Sequence, residues 1–237
     1  MFREYLKTYA DDAGYPLTDE CLDAFTVYYH TLVEWNEKMN LTAITEPREV
    51  ALKHMIDSLT VYKKDYFPEG ASVIDVGTGA GFPGLPLAIY QPHLSVVLLD
   101  SLKKRLTFLE ETLKLCGRQA ELVHARAEDA GRDSKHRDSY DAAVSRGVAR
   151  LYRLVEWCLP FVKVGGVFLA MKGAKCQEEV DEAKKAIFLL GGKVEAVHEV
   201  SLPELDDKRA IVVIRKVSPT PKTYPRRPAV AEKKPLL

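Results

Sequence analysis

Residues 73–89 read VIDVGTGAGFPGLPLAI. An apolar run carries Asp75 near its end, glycines follow at 77, 79 and 81, and Pro83 and Pro86 stand where a helix should begin. Two templates overlap there. From Gly79 the stretch reads G-A-G-F-P-G, the spacing of a dinucleotide-binding loop. From Asp75 it reads D-V-G-T-G-A-G, an acid two residues before the first of three glycines. A pyrophosphate loop needs free backbone N–H groups at a helix N-terminus. Pro83 and Pro86 remove two such donors, and Asp75 adds negative charge where an anion would sit. Both features suit a ligand that lacks phosphates and carries positive charge. S-adenosylmethionine (AdoMet), with its adenosine, sulfonium and amino-acid group, meets that description, and glycines let a backbone approach it closely.

A second acid, Asp100, ends the run VVLLD, 23 residues after Gly77. That spacing places a carboxylate for both ribose hydroxyls. A dehydrogenase would want the same acid, so Asp75 discriminates better than Asp100. The third apolar run is followed by HARAEDA. Glu128 there can take the exocyclic amine of an adenine, and the backbone of Ala127 a ring nitrogen. The fourth run ends in Ser145-Arg146-Gly147, a position that faces methyl donor and substrate. It holds no Asn-Pro-Pro-Tyr or Asp-Pro-Pro-Tyr, which argues against transfer to an exocyclic amine, and no Pro-Cys, which argues against covalent chemistry at cytosine C5. His54 and Asp57, three apart, fit a local cap or interdomain tie better than catalysis.

The elements that must position these groups follow from periodicity. In CLDAFTVYYHTLVEWNEKMNL, Leu22, Phe25, Tyr29, Leu32 and Val33 recur every three or four residues, behind Thr18 as an N-cap. A second helix starts at Pro47, with Val50, Met55, Leu59 and Tyr62 inward. Residues 1–66 are expected to form a helical subdomain. From residue 72 short apolar runs alternate with helical stretches: strands at 72–76, 94–100, 120–125, 140–145 and 165–173, with helices between them, one of them over 102–117 ending at Gly117. The last two strands, 193–202 and 209–217, have no helix between them and are expected to be antiparallel. This pattern predicts an α/β domain over 67–216, a Rossmann-like, seven-stranded, mostly parallel sheet with helices on both faces. Ligands of such sheets sit beyond the carboxyl ends of the strands, at the switch point beside the first strand.

Composition narrows the classes further. The chain has 237 residues, 46% hydrophobic and 29% charged, ordinary for one large domain with an appendage. Its apolar runs are too short to cross a membrane, and its start, MFREYLKTYADDAG, is not read as a signal peptide. Cysteines at 21, 116, 158 and 176 show no metal-ligand spacing, so no metal is expected and the thiols read as reduced. Net charge is zero but uneven: residues 217–237 carry +4 and the rest −4. With five prolines, that basic stretch is expected to be a disordered or extended tail. Its cations and Tyr224 suit an RNA backbone.

Taken in order, EWNEKMNLTAI, HMIDSL, VIDVGTGAGFPGLPLAI, LLDSLKKRLTFLEE, ARAEDA, SRGVARL and FLAMKG resemble the RsmG (GidB) family of bacterial small-subunit rRNA methyltransferases, over roughly residues 20–216. The tail resembles the ends of some members. The resemblance implies the class I AdoMet-dependent fold and methylation of N7 of one guanine in the decoding region of 16S rRNA, with S-adenosyl-L-homocysteine as product. It implies 16S rRNA or the small ribosomal subunit as partner, a monomer, and a cytoplasmic site. Carried over by position, the AdoMet contacts fall on Gly77, Phe82, Asp100, Ser101, Leu102, Ala127, Glu128 and Arg146; Asp75 and Gly79 complete the loop. Many members have leucine where Phe82 stands, which alters shape rather than chemistry.

Guanine N7 carries a lone pair and no proton, so its methylation needs no general base. Alignment alone can lower such a barrier by about 7–11 kcal/mol. The major groove of A-form RNA is too narrow for side chains, so the target must lie in a loop or be flipped out. Arg146 or Lys172 could contact O6, and Asn40 could reach the substrate across the cleft. Lys103, Lys104 and Arg105 crowd a helix start against its dipole, which fits phosphate contact or a solvated face. A NAD-dependent oxidoreductase, a small-molecule methyltransferase and a non-enzymatic RNA-binding module remain alternatives.

Overall fold

The structure, a computed structural model, describes residues 1–237. Two helices open the chain, α1 (Phe2–Asp12) and α2 (Asp19–Asn36). The Thr18 hydroxyl caps α2 by accepting the Cys21 N–H at 3.3 Å. Of the inward series expected in α2, Leu22, Phe25, Tyr29 and Leu32 are buried, whereas Val33 is half-buried. The stretch that begins at Pro47 is not one regular helix. It is α-helical at Pro47–Val50 (α3), widens into a π-helical turn at Ala51–Ile56, and closes as α4 (Asp57–Leu59). Such π turns tend to mark functional sites, and this one carries Lys53 and His54, with Asp57 directly after it.

The strands are β1 (Ser72–Val76), β2 (Ser95–Asp100), β3 (Glu121–His124), β4 (Tyr140–Arg146), β5 (Val162–Lys172), β6 (Gly192–Leu202) and β7 (Leu205–Lys216). They form one sheet in the order β3-β2-β1-β4-β5-β7-β6. The first five run parallel, and β7 is antiparallel to both neighbours. The helices between are α5 (Gly84–Tyr90), α6 (Lys103–Cys116), α7 (Ala127–Ala130), α8 (Leu151–Cys158) and α9 (Cys176–Leu189). Gly117 ends α6 in the left-handed region at φ 61°, as its position predicts. The order reverses between β1 and β4, so the turns after these two strands flank the switch point.

Each face of the sheet has its own core. One holds Leu6, Phe25, Tyr28, Met55, Leu98 and Phe108, so the N-terminal helices share a single apolar cluster with α5, α6 and the sheet. The other holds Leu154, Phe161, Phe168, Ile187 and Ile214. No helix is long and apolar enough to cross a membrane.

The tail departs from the disordered alternative. Residues 217–237 form an ordered strap that includes a short helix, α10 (Pro228–Lys233). Its prolines keep it out of longer helices, and its backbone is satisfied from outside. Arg137 donates to the carbonyls of Thr220 (2.7 Å) and Tyr224 (2.9 Å), and the Thr220 hydroxyl donates to Leu190 O (2.7 Å). Arg226 grips the buried Glu156 carboxylate with Nε (2.8 Å) and a terminal nitrogen (2.7 Å). One of the five tail cations therefore serves packing within the chain.

Candidate active site

The loop after β1 is organised from within. Asp75 is fully buried, and its Oδ2 accepts the Thr78 hydroxyl at 2.7 Å and the Gly84 N–H at 2.8 Å. Its Oδ1 has no partner. Burial pushes this carboxyl up to about 6, against the opposing pull of the two hydrogen bonds. Asp75 thus lies beneath the loop and shapes it, where the residue pattern had suggested a charge facing the ligand. Most other donors of the loop are spent locally. Gly77 and Thr78 donate to Leu99 O, Gly81 and Phe82 to Thr78 O, Leu85 to Gly81 O, and Leu87 to Pro83 O. Pro83 and Pro86 have no N–H. No backbone N–H in the first turn of α5 remains free for a phosphate, so the dinucleotide template lacks its anion seat.

Two glycines in the loop are needed for conformation or room. Gly77 holds φ 73°, a left-handed conformation that side chains rarely adopt. A Cβ on Gly81 would stand 2.7 Å from the Tyr28 hydroxyl and 2.8 Å from Leu109. That hydroxyl donates to Ala80 O, so α2 braces the loop directly.

A cleft of ≈ 180 Å³ opens on the other side of this loop. Gly77, Asp100, Ser101, Ala127 and Glu128 line it together, five of the expected cofactor residues. Asp100 is 2% exposed; it accepts Leu102 N–H at 2.8 Å on Oδ1 and Gly79 N–H at 2.9 Å on Oδ2. Gly79 and Leu102 therefore serve through their backbones, while the Leu102 side chain is half exposed. Arg105 also reaches Asp100 Oδ2, at 3.3 Å. Among the wall residues that escaped sequence reasoning are Arg105 as a partner of Asp100, Val148 and Trp157. Arg105 stands five residues beyond Asp100, a spacing that could have flagged it. Trp157 sits in an amphipathic helix with no local signal.

Phe82 turns toward the helices. Its ring stacks on His54 (4.6 Å) and Tyr28 (5.4 Å), and the Arg146 guanidinium lies 4.7 Å from its centre. Arg146 itself donates to Asp57 Oδ2 at 3.0 Å and to Lys53 O at 3.3 Å. Asp57 Oδ1 accepts from Arg209 at 2.9 Å, so one buried carboxylate ties β4 and β7 to the start of α4, directly after the π-helical turn. This is the tie expected of Asp57, though its partners come from far along the chain. His54 Nε2 lies 2.7 Å from the Thr42 hydroxyl. Burial, then the Arg146 charge, pull its imidazole down to about 4, so it is neutral at neutral pH.

Lys172 is not a solvated strand end. Its side chain is 6% exposed and bridges Glu179 (2.7 Å) and Ala149 O (2.7 Å), which fastens the turn after β4. Asn40 is exposed and does not line this cleft. The asparagine that shapes that connection is Asn36, whose Oδ1 accepts Leu41 N–H and Thr42 N–H at 2.8 and 2.9 Å. A cavity of ≈ 1160 Å³ opens at the start of β1 and β2 beside Ser72 and Ser95, away from all these groups.

The family model described as rRNA small subunit methyltransferase G (GidB) matches residues 22–212. The chain belongs to that family. It is 49% identical over 232 residues to the ribosomal RNA small subunit methyltransferase G of Desulforamulus reducens, covering 98% of this chain and 97% of the relative. It is 46% identical to that of Clostridium novyi, covering 100% and 98%. Among solved structures it is similar in fold to a TehB-like SAM-dependent methyltransferase from Corynebacterium glutamicum (TM-score 0.53, 17% identity, 79% of this chain and 98% of that one). M. jannaschii TYW2, solved in complex with AdoMet, is also similar (TM-score 0.53, 18% identity, 69% and 76%). The fold is that of the class I AdoMet-dependent methyltransferases. Within this member of the family, Asp100 reaches the cleft from the end of β2 and Glu128 from α7, just after β3, and the glycine-rich loop closes its base.

Proposed function

We propose that this chain transfers a methyl group from AdoMet to N7 of a guanine in the decoding region of 16S rRNA. The observation that carries the cofactor reading is the fully spent N-terminus of α5 beside a cleft lined by Asp100 and Glu128. A nucleoside without phosphates fits that combination. Asp100 would hold the ribose hydroxyls, and each of its oxygens retains acceptor capacity once Arg105 swings aside. Ala127 and Glu128 would read the adenine, and Leu99, Ala125, Val148 and Trp157 supply apolar walls. The sulfonium and amino-acid end would lie toward Gly77.

AdoMet supplies an electrophilic methyl carbon: the N7 lone pair forms the new N–C bond while the C–S bond breaks, and sulfur keeps the electron pair. No proton moves, and the positive charge passes from sulfur to the purine ring. The protein's part is alignment and exclusion of water. The neutral, hydrogen-bonded His54 and the buried Asp57 have no base to serve as, and N7 requires none. The family membership and the names of the relatives support rRNA of the small subunit as acceptor. The test is transfer of labelled methyl from AdoMet to small subunits and to free 16S rRNA, followed by digestion to nucleosides. Label in 7-methylguanosine is the expected outcome; label confined to any other nucleoside overturns the N7 reading.

A further inference from the structure

A second cavity, ≈ 400 Å³, lies across the turn that follows β4. Its size falls within the range of about 300–1,000 Å³ usual for small-molecule sites. Its walls come from separate parts of the chain: His54 and Asp57 near the π-helical turn, Arg146 at the end of β4, Gly173 just after β5, and Arg209 in β7. Only the turn separates it from the cofactor cleft. Gly147 lines the second cavity. The next residue, Val148, lines the first, and its side chain stands 3.2 Å from where a Cβ on Gly77 would be. Two ligands placed in these cavities would meet across the residues that close the switch point.

The chemistry of the second cavity differs from the first. One buried carboxylate, Asp57, is shared by two guanidiniums; Arg209 also approaches the exposed Asp207 at 3.5 Å, and its buried Nε has no partner. Each guanidinium has five N–H donors and Asp57 takes few of them. Lys53 adds a cation at the wall, paired with Glu49. His54 stays neutral and adds no charge. A site rich in N–H donors, with cations at its wall, suits a nucleotide presenting acceptor atoms and a phosphate. Guanine carries both its acceptors, O6 and N7, on one edge.

Resting on the methyl-transfer reading above, we propose that this cavity receives the flipped-out acceptor nucleotide, with the Arg146–Asp57–Arg209 group holding O6 and the flanking phosphate while N7 faces the cofactor cleft. Asp57 is then a positioning residue: it touches no substrate but aims both arginines. The cost of extruding the base would be offset by contacts available only in this cavity.

Gly173 offers a direct test. It is exposed, its backbone lies outside the left-handed region, and a Cβ there would meet only Lys208 O at 3.9 Å. The four native cysteines are buried, and burial raises the thiol pKa of Cys116, Cys158 and Cys176, so a thiol introduced by Gly173→Cys is the reactive one. Folded, purified Gly173→Cys protein is compared with itself before and after labelling by benzyl methanethiosulfonate, which fills the cavity without refolding. The expected result is at least a 20-fold fall in methyl transfer to small subunits, with AdoMet affinity by calorimetry within twofold. Saturating subunits should slow the labelling at least fivefold, whereas AdoMet alone should not. Labelled protein that transfers methyl within threefold of the unlabelled form overturns the proposal, as does an absence of protection by subunits. Failure of the underlying reading looks different: wild-type enzyme would then label no guanine N7, whatever the state of residue 173.

Discussion

The two cavities flanking the switch point hold their carboxylates in opposite ways. On the β2–β3 side Asp100 is gripped by backbone N–H groups only two and twenty-one residues away in sequence. On the β4–β7 side Asp57 is gripped by the side chains of Arg146 and Arg209, eighty-nine and one hundred and fifty-two residues away. Backbone donors come with the strand-turn-helix geometry and persist under most substitutions. Guanidinium donors depend on three side chains meeting across distant elements. The first arrangement suits a cofactor of fixed shape, and the second a macromolecular acceptor that must enter and leave.

The largest effect expected from this contrast is on stability. Asp57→Ala leaves two largely buried arginines facing each other, with only the exposed Asp207, 3.5 Å from Arg209, as a counter-charge. Breaking such a pair costs about 3–5 kcal/mol, and in a chain of this size that lowers Tm by about 6–20 °C. Calorimetric or optical melting measures it. A loss under one degree would show that water, rather than Asp57, compensates these arginines.

Asp75 offers a test of the same comparison by pH, because its buried carboxylate is held by no cation. Its folded pKa, about 6, lies above the ordinary value of 3.8. The native state therefore binds the proton more tightly than the unfolded chain. The stabilisation is complete below about pH 4 and is lost as pH rises through about 6. Asp75→Asn removes the titration while an amide oxygen still accepts from Thr78 and Gly84. Its stability relative to wild type should rise from pH 4 to pH 6–7 by up to about 3 kcal/mol, then level off. Denaturant titrations across that window check the sign; a flat difference would mean Asp75 titrates normally.

How much of this was legible beforehand follows the same division. The strand ends carrying Asp75 and Asp100, and the turn after β3 that leads to Glu128 in α7, are set by local alternation of apolar runs and helices, and the fold and the cofactor cleft follow from them. The antiparallel β6–β7 pair was readable because no helix could fit between its strands. Direction of side chains was less so. Asp75 points under its loop because Thr78 and Gly84 offer it donors there, and Lys172 folds back because Glu179, in the next helix, outcompetes solvent. The Arg146–Asp57–Arg209 group has no local signature, since nothing in HMIDSL or in DDKRAIVV names the other. The strap at 217–237 looked too polar and proline-rich to order, yet Arg137, Leu190 and Glu156 supply partners that its own composition lacks.

Cofactor affinity should respond to Asp100 and not to the acceptor side. Asp100→Asn weakens the charge-assisted bonds to Gly79 and Leu102 and removes the anionic acceptor for the ribose hydroxyls. Hydrogen bonds to charged groups are worth about 1.5–3 kcal/mol, so the AdoMet dissociation constant should rise about 10–100-fold by calorimetry. Binding of the small subunit to the same variant should change less than threefold. Equal losses of both ligands would mean the two cavities are one cooperative site.

The smallest effect separates the two sides by their exposed lysines. Lys104 opens α6 on the cofactor side, and Lys208 stands in β7, where its carbonyl oxygen borders the acceptor cavity at Gly173. An acceptor nucleotide in that cavity is flanked by RNA phosphates, so Lys208 should neutralise one of them and Lys104 none. Each phosphate contact contributes nearly one unit to the slope of log affinity against log salt. Lys208→Gln should therefore flatten that slope for subunit binding by about one and weaken affinity only a few-fold, whereas Lys104→Gln should leave the slope unchanged. If Lys104→Gln alone flattens it, the RNA approaches over the cofactor side, and the helix-start cations that oppose the α6 dipole are then phosphate contacts rather than a solvated face.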